Sequence, residues 1–212
     1  MTRKPIVAID GPAGSGKGTI ARMLADHFGF AYLDTGALYR IAAHANVNFD
    51  EITNLSVHDL LKIAADTPED VLKSDIVGCK ASDIAKLPHI REVMTQLQRE
   101  FVANPGNEFG GSILDGRDIG TVVIPNADCK IFITADPEVR AKRRWNFLKI
   151  TNPLLTYETI YQSIVARDEQ DQSRKIAPLT CDESYVLLDT SADTIDMSLA
   201  KAVKIVRVAL SE

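Results

Sequence analysis

Pro5-Ile6-Val7-Ala8-Ile9-Asp10, then Gly11-Pro12-Ala13-Gly14-Ser15-Gly16-Lys17-Gly18-Thr19, then Ile20-Ala21-Arg22-Met23-Leu24-Ala25 follow one another without a break, and their succession decides the fold. The first segment is a short apolar run, as a strand buried on both faces requires. The third opens a pattern in which Ile20, Met23, Leu24 and Phe28 share one face of a helix. Between them, Gly11 and Gly16-Lys17 stand at the spacing of a phosphate-binding loop. Glycines let successive N–H groups converge on an anion, the new helix adds its positive end, and Lys17 reaches the outer phosphates. Residues Gly11 through Thr19 are therefore the expected contacts of a nucleoside triphosphate. One position departs from the simplest pattern. The slot directly after the lysine holds Gly18, and the hydroxyl arrives one residue later, at Thr19.

The remaining chain supports a parallel α/β domain. At 212 residues it suits one domain with small insertions and a substantial core. No apolar run approaches the ~20 residues of a membrane span. No secretory signal precedes the first strand, and three distant cysteines match no zinc spacing, so a cytoplasmic protein with reduced thiols is expected. A net charge of −5 argues against broad nucleic-acid binding.

Further strands are expected at 30–33, 112–115, 130–134 and 185–189, separated by helical patterns. Thr35 and Arg40 follow the second strand, and Asp115-Gly116-Arg117-Asp118-Ile119-Gly120 leaves the third; ligands of open parallel sheets bind at such strand ends. Leu87, Ile90, Val93, Met94, Leu97 and Phe101 form a core-facing helical stripe, with Arg91 off its centre. Asp136 is expected to cap a helix carrying Arg140, Lys142, Arg143 and Arg144, of which at least one belongs to a solvated face. Arg167, Asp171 and Arg174 stand at i, i+4 and i+7, one face if the helix continues. On spacing alone, a surface ion pair with a bystander explains these three as well as function does.

Gly11 through Thr19, Asp34-Thr35-Gly36-Ala37-Leu38-Tyr39-Arg40, Asp115-Gly116-Arg117-Asp118-Ile119-Gly120-Thr121-Val122-Val123 and Arg167-Asp168…Asp171…Arg174…Ala177-Pro178-Leu179 together resemble the bacterial-type cytidylate kinases, over nearly the whole chain and in order. The resemblance implies a P-loop parallel sheet sandwiched by helices, with a monophosphate-binding insertion and a short lid. It implies phosphoryl transfer from ATP, with Mg²⁺, to CMP or dCMP. Arg40, Arg117 and Arg174 match positions that hold the CMP phosphate; Ser82, Arg91 and Asp118 match those that read cytosine; Arg167 and Asp171 match those that hold the sugar hydroxyls. Thr35 sits beside the nucleotide in this scheme. Asp115 joins the CMP-binding set and, with Asp34, is a candidate for orienting metal-bound waters. Lys17, Arg117 and Arg174 are the expected catalytic residues, and one of Arg140, Arg143 and Arg144 joins them from the lid.

The expected division is a core of residues 1–39 and 109–212, with a lid at about 145–166, and a monophosphate-binding segment at 40–108. Only about a dozen residues join the Pro68 region to Ser82, where family members carry a strand insertion, so that segment is abbreviated. Lys73 stands where the family usually has arginine, keeping the charge without the bidentate fork. The expected partners are ATP and CMP or dCMP, with no nucleic acid, no membrane and no second subunit. An adenylate kinase-like enzyme shares the loop and the Thr-Gly…Arg element but gives no reason for Asp115-Gly116-Arg117-Asp118. A nucleotide-binding regulator without catalysis gives none for the intact Lys17 and arginines.

Overall fold

The computed structural model describes residues 3–44, 56–72, 74–150 and 152–211; Lys73 lies outside them. The chain forms two compact units, residues 1–32 with 110–212, and residues 33–109. The first is built on β1 (Ile6–Asp10), the central strand of a five-stranded sheet. After α1 (Lys17–Phe28) and β2 (Ala31–Asp34), the chain returns to this unit as β3 (Ser112–Gly116). A single π-helical turn (Ile119–Val123) leads on to β4 (Cys129–Thr134) and then to β5 (Val186–Asp189). The sheet order is β2-β3-β1-β4-β5; β1 runs parallel to β3 and β4, and β4 runs parallel to β5.

Burial explains the order. All five residues of β1 and all five of β3 are buried, as strands covered on both faces must be, whereas edge strand β5 exposes Val186 and Leu187. On one face, Val7, Ile9, Ile113, Ile131, Ile133 and Leu188 meet Ile20, Ala21, Leu24 and Ala25 of α1. Ala202 and Val206 of the C-terminal helix join the same cluster. Because β1 has β3 on one side and β4 on the other, its C-terminal end is the switch point at which such sheets bind ligands.

The second unit is helical beyond β2 among its described residues. It contains α2 (Thr35–His44), α3 (Val57–Asp66), the short α4 (Glu69–Leu72), α5 (Asp75–Ile84) and α6 (Pro88–Ala103). Ser56 and Asp59 cap α3 reciprocally: the Ser56 N–H donates to Asp59 Oδ2 at 2.9 Å, and the Asp59 N–H to Ser56 Oγ at 3.2 Å. Ile90, Met94 and Leu97 bury the expected stripe of α6, but Leu87 is its exposed cap. Arg91, expected beside the stripe, is itself buried, with Nη1 donating to the Ala85 carbonyl.

After β4, α7 (Pro137–Leu148) and α8 (Tyr157–Gln172) form a helical hairpin held by Ala141, Ile160 and Ile164, with Trp145, Leu148, Leu155, Tyr157 and Tyr161 around them. The expected lid at 145–166 is therefore largely the paired ends of two packed helices. Asp136 stands at the cap of α7, but its side chain makes no capping bond. The one-face reading of Arg167, Asp171 and Arg174 required the helix to continue to Arg174, and it does not. Helix α8 stops at Gln172, so Arg174 is not on its face; Ala177 takes a left-handed φ of 50° and the Leu179 N–H returns to the Asp171 carbonyl at 2.8 Å. The closing helix is α9 (Ile195–Ala209). No helix among the described residues is long and apolar enough to cross a membrane.

Candidate active site

The phosphate loop leaves β1 through Gly11, where a β-carbon would lie 2.0 Å from the Ile133 carbonyl oxygen, so no side chain fits. Protein donors brace the loop's own carbonyls. Arg140 Nη1 reaches the Ala13 oxygen at 3.0 Å, Thr190 Oγ1 reaches that of Ser15 at 3.1 Å, and Lys17 Nζ lies 3.5 Å from that of Pro12. The backbone of the loop is thus fixed from behind without help from a ligand. Ser15 Oγ is buried with no hydrogen-bond partner, while Thr19 is exposed.

Sequence reasoning passed over the residue just before the loop. Asp10 is 0% exposed and accepts from the N–H groups of Ile119 and Gly120, both at 2.9 Å, and from Tyr185 Oη at 2.6 Å. One carboxylate therefore ties the start of the phosphate loop to the turn that follows Arg117 and Asp118. Burial pushes the Asp10 pKa up, and the bonds from Gly120, Tyr185 and Ile119 with the charge of Arg117 only partly offset this. Gly120 must be glycine because a β-carbon there would meet Tyr185 Oη at 2.6 Å. The available signal was a lone charge closing a wholly apolar strand.

Asp115, buried at the end of β3, accepts from Tyr32 Oη at 2.9 Å. Asp34, at the end of β2, accepts the Ala37 N–H at 3.1 Å. Among the described residues no three His, Cys, Asp or Glu side chains converge to hold a metal ion. A buried carboxylate such as Asp115, with no cage of ligands around it among the described residues, fits a cation that arrives on nucleotide phosphates.

The arginines divide into two groups. Asp171, 0% exposed, accepts from Arg117 Nε on Oδ2 at 2.8 Å and from Arg174 Nη2 on Oδ1. Burial would raise the Asp171 pKa, but the charges of Arg117, Arg174 and Arg167 outweigh it and lower the value below the usual 3.8. Arg174 Nε is buried and has no hydrogen-bond partner. Arg140 contrasts with this pair. Its Nε donates to the Ala135 carbonyl at 2.7 Å, Nη1 to Ala13, and Nη1 and Nη2 grip Asp168 at 3.0 and 2.5 Å. Arg143 is also engaged, bonding Thr190 Oγ1 and its carbonyl at 3.0 and 2.7 Å. Lys142 is the exposed member of the run, and Arg144 is half-buried.

In the second unit, Thr35 is buried at the head of α2, and Arg40 Nη1 donates to the Leu72 carbonyl at 2.8 Å. Ser82 is buried with no partner for its Oγ. Buried hydroxyls and guanidinium nitrogens without partners are costly in a finished interior, so each calls for a partner from outside the protein side chains around it.

Known proteins agree with this architecture. Solved structures give its fold alone: an uncharacterized protein from Eubacterium ventriosum superposes with a TM-score of 0.58 at 13% identity, covering 95% of this chain and 97% of that one. The shikimate kinase from Bacteroides thetaiotaomicron gives 0.51 at 12% identity over 98% and 99%. Sequence similarity is closer. The cytidylate kinase of Azorhizobium caulinodans is 44% identical over 95% of this chain and 97% of its own length. That of Neisseria meningitidis is 38% identical over 95% and 96%. The family described as cytidylate kinase matches residues 7–208, and with these relatives that match shows that the chain belongs to the cytidylate kinase family.

Proposed function

We infer that the protein transfers the γ-phosphoryl group of ATP to CMP or dCMP, giving ADP with CDP or dCDP. The observation that carries this reading is the arginine pair on Asp171. Two guanidiniums are held by one buried carboxylate, and Arg174 keeps an unpartnered Nε. Partly satisfied guanidiniums beside a phosphate loop suit a transfer in which the protein supplies position and charge rather than covalent chemistry.

Lys17 and the loop from Gly11 to Thr19 take the ATP phosphates. Arg117 and Arg174 stand against the transferring group, with Arg40 on the CMP phosphate. Ser82, Arg91 and Asp118 read cytosine, whose O2 and N3 accept and whose 4-amino group donates. Thr35 lies beside the nucleotide. Arg167, with the lone pairs that Asp171 does not give to arginine, holds the sugar hydroxyls. Mg²⁺, when bound with ATP, neutralises charge on its outer phosphates, and Asp115 and Asp34 are the residues proposed to hold its waters. The CMP phosphate oxygen is the nucleophile; with a second pKa near ~6 it is already ionised at neutral pH, so no general base is needed. A monomer working in the cytoplasm belongs to the same proposal.

The test is ADP release with CMP, dCMP, UMP, AMP and GMP on one preparation. CMP and dCMP should exceed the other three by ~10² or more, the scale of hydrogen-bonded discrimination at a partly solvated site. Preference for AMP would instead indicate an adenylate kinase-like enzyme, and release independent of any monophosphate would remove the reading.

A further inference from the structure

The simplest phosphate-loop pattern places a hydroxyl directly after the lysine, where this chain has Gly18. The next residue, Thr19, is exposed. What fills the space is visible from the glycine itself. A β-carbon built on Gly18 would lie 3.5 Å from Asp115 Oδ2 and 3.7 Å from Tyr32 Oη, both ordinary contact distances. The first atoms that a side chain at this position would meet are therefore a carboxylate oxygen and a phenol hydroxyl that are themselves joined. Tyr32 Oη donates to Asp115 Oδ1 at 2.9 Å, and Oδ2 is the oxygen that faces Gly18. The Arg22 guanidinium, 5.4 Å above the Tyr32 ring, helps to hold the ring in place.

We propose that Tyr32 is a positioning residue that stands in for the missing loop hydroxyl, orienting Asp115 toward the divalent cation that arrives with ATP. The inference rests on the ATP and Mg²⁺ reading above. A carboxylate serving a metal ion or its waters needs an outer hydrogen bond to fix its plane, and removing such a partner typically weakens metal affinity by ~10- to 100-fold. Tyr32 is placed to supply such a bond.

The experiment measures the dissociation constant of the non-hydrolysable ATP analogue AMP-PNP by calorimetry, once in Mg²⁺ and once in EDTA. It compares the wild type, Tyr32→Phe, and the double variant Tyr32→Phe/Gly18→Ser. Tyr32→Phe keeps the ring and removes only the hydroxyl. It should weaken binding ~10-fold in Mg²⁺ and leave the EDTA value nearly unchanged. The double variant should recover part of the Mg²⁺-dependent loss, since a side chain at position 18 meets Asp115 at Oδ2 and a serine hydroxyl there donates to the same carboxylate. An equal loss in both conditions, or in neither, overturns the proposal by making Tyr32 a packing residue. So does a serine that restores nothing. A wild type with no Mg²⁺ preference would instead remove the metal reading itself, and the inference with it.

Discussion

Asp168 and Asp171 sit one turn apart near the end of α8, and each holds arginine, but the two constructions do different things. Arg140 is nearly saturated: each of its three nitrogens donates, and four of its five N–H groups end on Asp168 and the Ala135 and Ala13 carbonyls. Asp171 instead divides its carboxylate between Arg117 and Arg174, and Arg174 retains a buried Nε without a partner. A guanidinium with four of its five donors ending on its own protein fixes backbone; here it fixes the phosphate loop to the α7–α8 hairpin. A guanidinium with donors left over is ready for an anion. Two arginines of equal formal charge thus differ in what their hydrogen bonds leave available.

Breaking each construction should separate these roles, and the largest effect belongs to the unsaturated one. Arg174→Ala is expected to lower kcat by ~10³ or more, the scale of an arginine acting on a transferring phosphoryl group. Arg140→Ala should act mainly on stability. It leaves Asp168 without its cation and two carbonyls without donors, for about 3 kcal/mol, the low end for a broken buried pair because Asp168 keeps 15% side-chain exposure. Steady-state kinetics and thermal melts on both variants check the pair. If Arg140→Ala abolished turnover without shifting the melt, the distinction between the two constructions would collapse.

Asp118 sharpens the same question, because it too is buried and its roles as brace or reader predict different numbers. Its carbonyl accepts from Val122 and Val123 at 2.9 and 3.1 Å, so the residue helps to build the π turn through its backbone. If its carboxylate accepts the cytosine amino group, Asp118→Ala should lower kcat/KM for CMP by ~10²-fold, equivalent to a ~3 kcal/mol charged hydrogen bond. UMP presents an acceptor there and should lose far less, so the two substrates converge. Equal losses for CMP and UMP would make Asp118 a brace.

The framework was legible in the sequence because it rests on local patterns. An all-apolar run made β1 central, and Gly11 to Lys17 named the loop that follows it. Donor accounting was not legible. Arg140, Arg143 and Arg144 read as one charge run, yet Arg140 is sealed against the Ala13 carbonyl, 127 positions away, a pairing that no spacing encodes. The pattern 167–171–174 puts three residues on one face only if the helix continues, and α8 ends at Gln172; Asp171 still reaches Arg174, as an i,i+3 pair across the helix end. Asp10 was missed because its partners, Ile119, Gly120 and Tyr185, are remote in sequence and two of them donate through backbone. Arg91 looked peripheral on a helical wheel, which shows the stripe but not the neighbour that covers its flank.

The smallest effect concerns acid. Asp171 has its pKa lowered from 3.8, because the charges of Arg117, Arg174 and Arg167 overcome the opposing effect of burial. The unfolded chain therefore takes up this proton at higher pH than the folded one does. The clamp's ionic contribution is complete above about pH 3.8 and is lost as pH falls from there through the lower folded value. Asp10, as deeply buried, has the opposite sign: its pKa is raised, so its ionised form is a cost at neutral pH and acid relieves it. The difference follows from the partners, since Asp10 meets chiefly N–H and O–H dipoles and Asp171 meets full charges. Melting temperatures of the wild type and Asp171→Asn, followed from neutral pH down to about pH 2.5, isolate the clamp. The wild type should be the more stable above pH 3.8, and the gap should narrow below it as the unfolded wild type binds its proton. A gap that stayed constant or widened in acid would show that the ionised carboxylate of Asp171 is not what holds the two arginines.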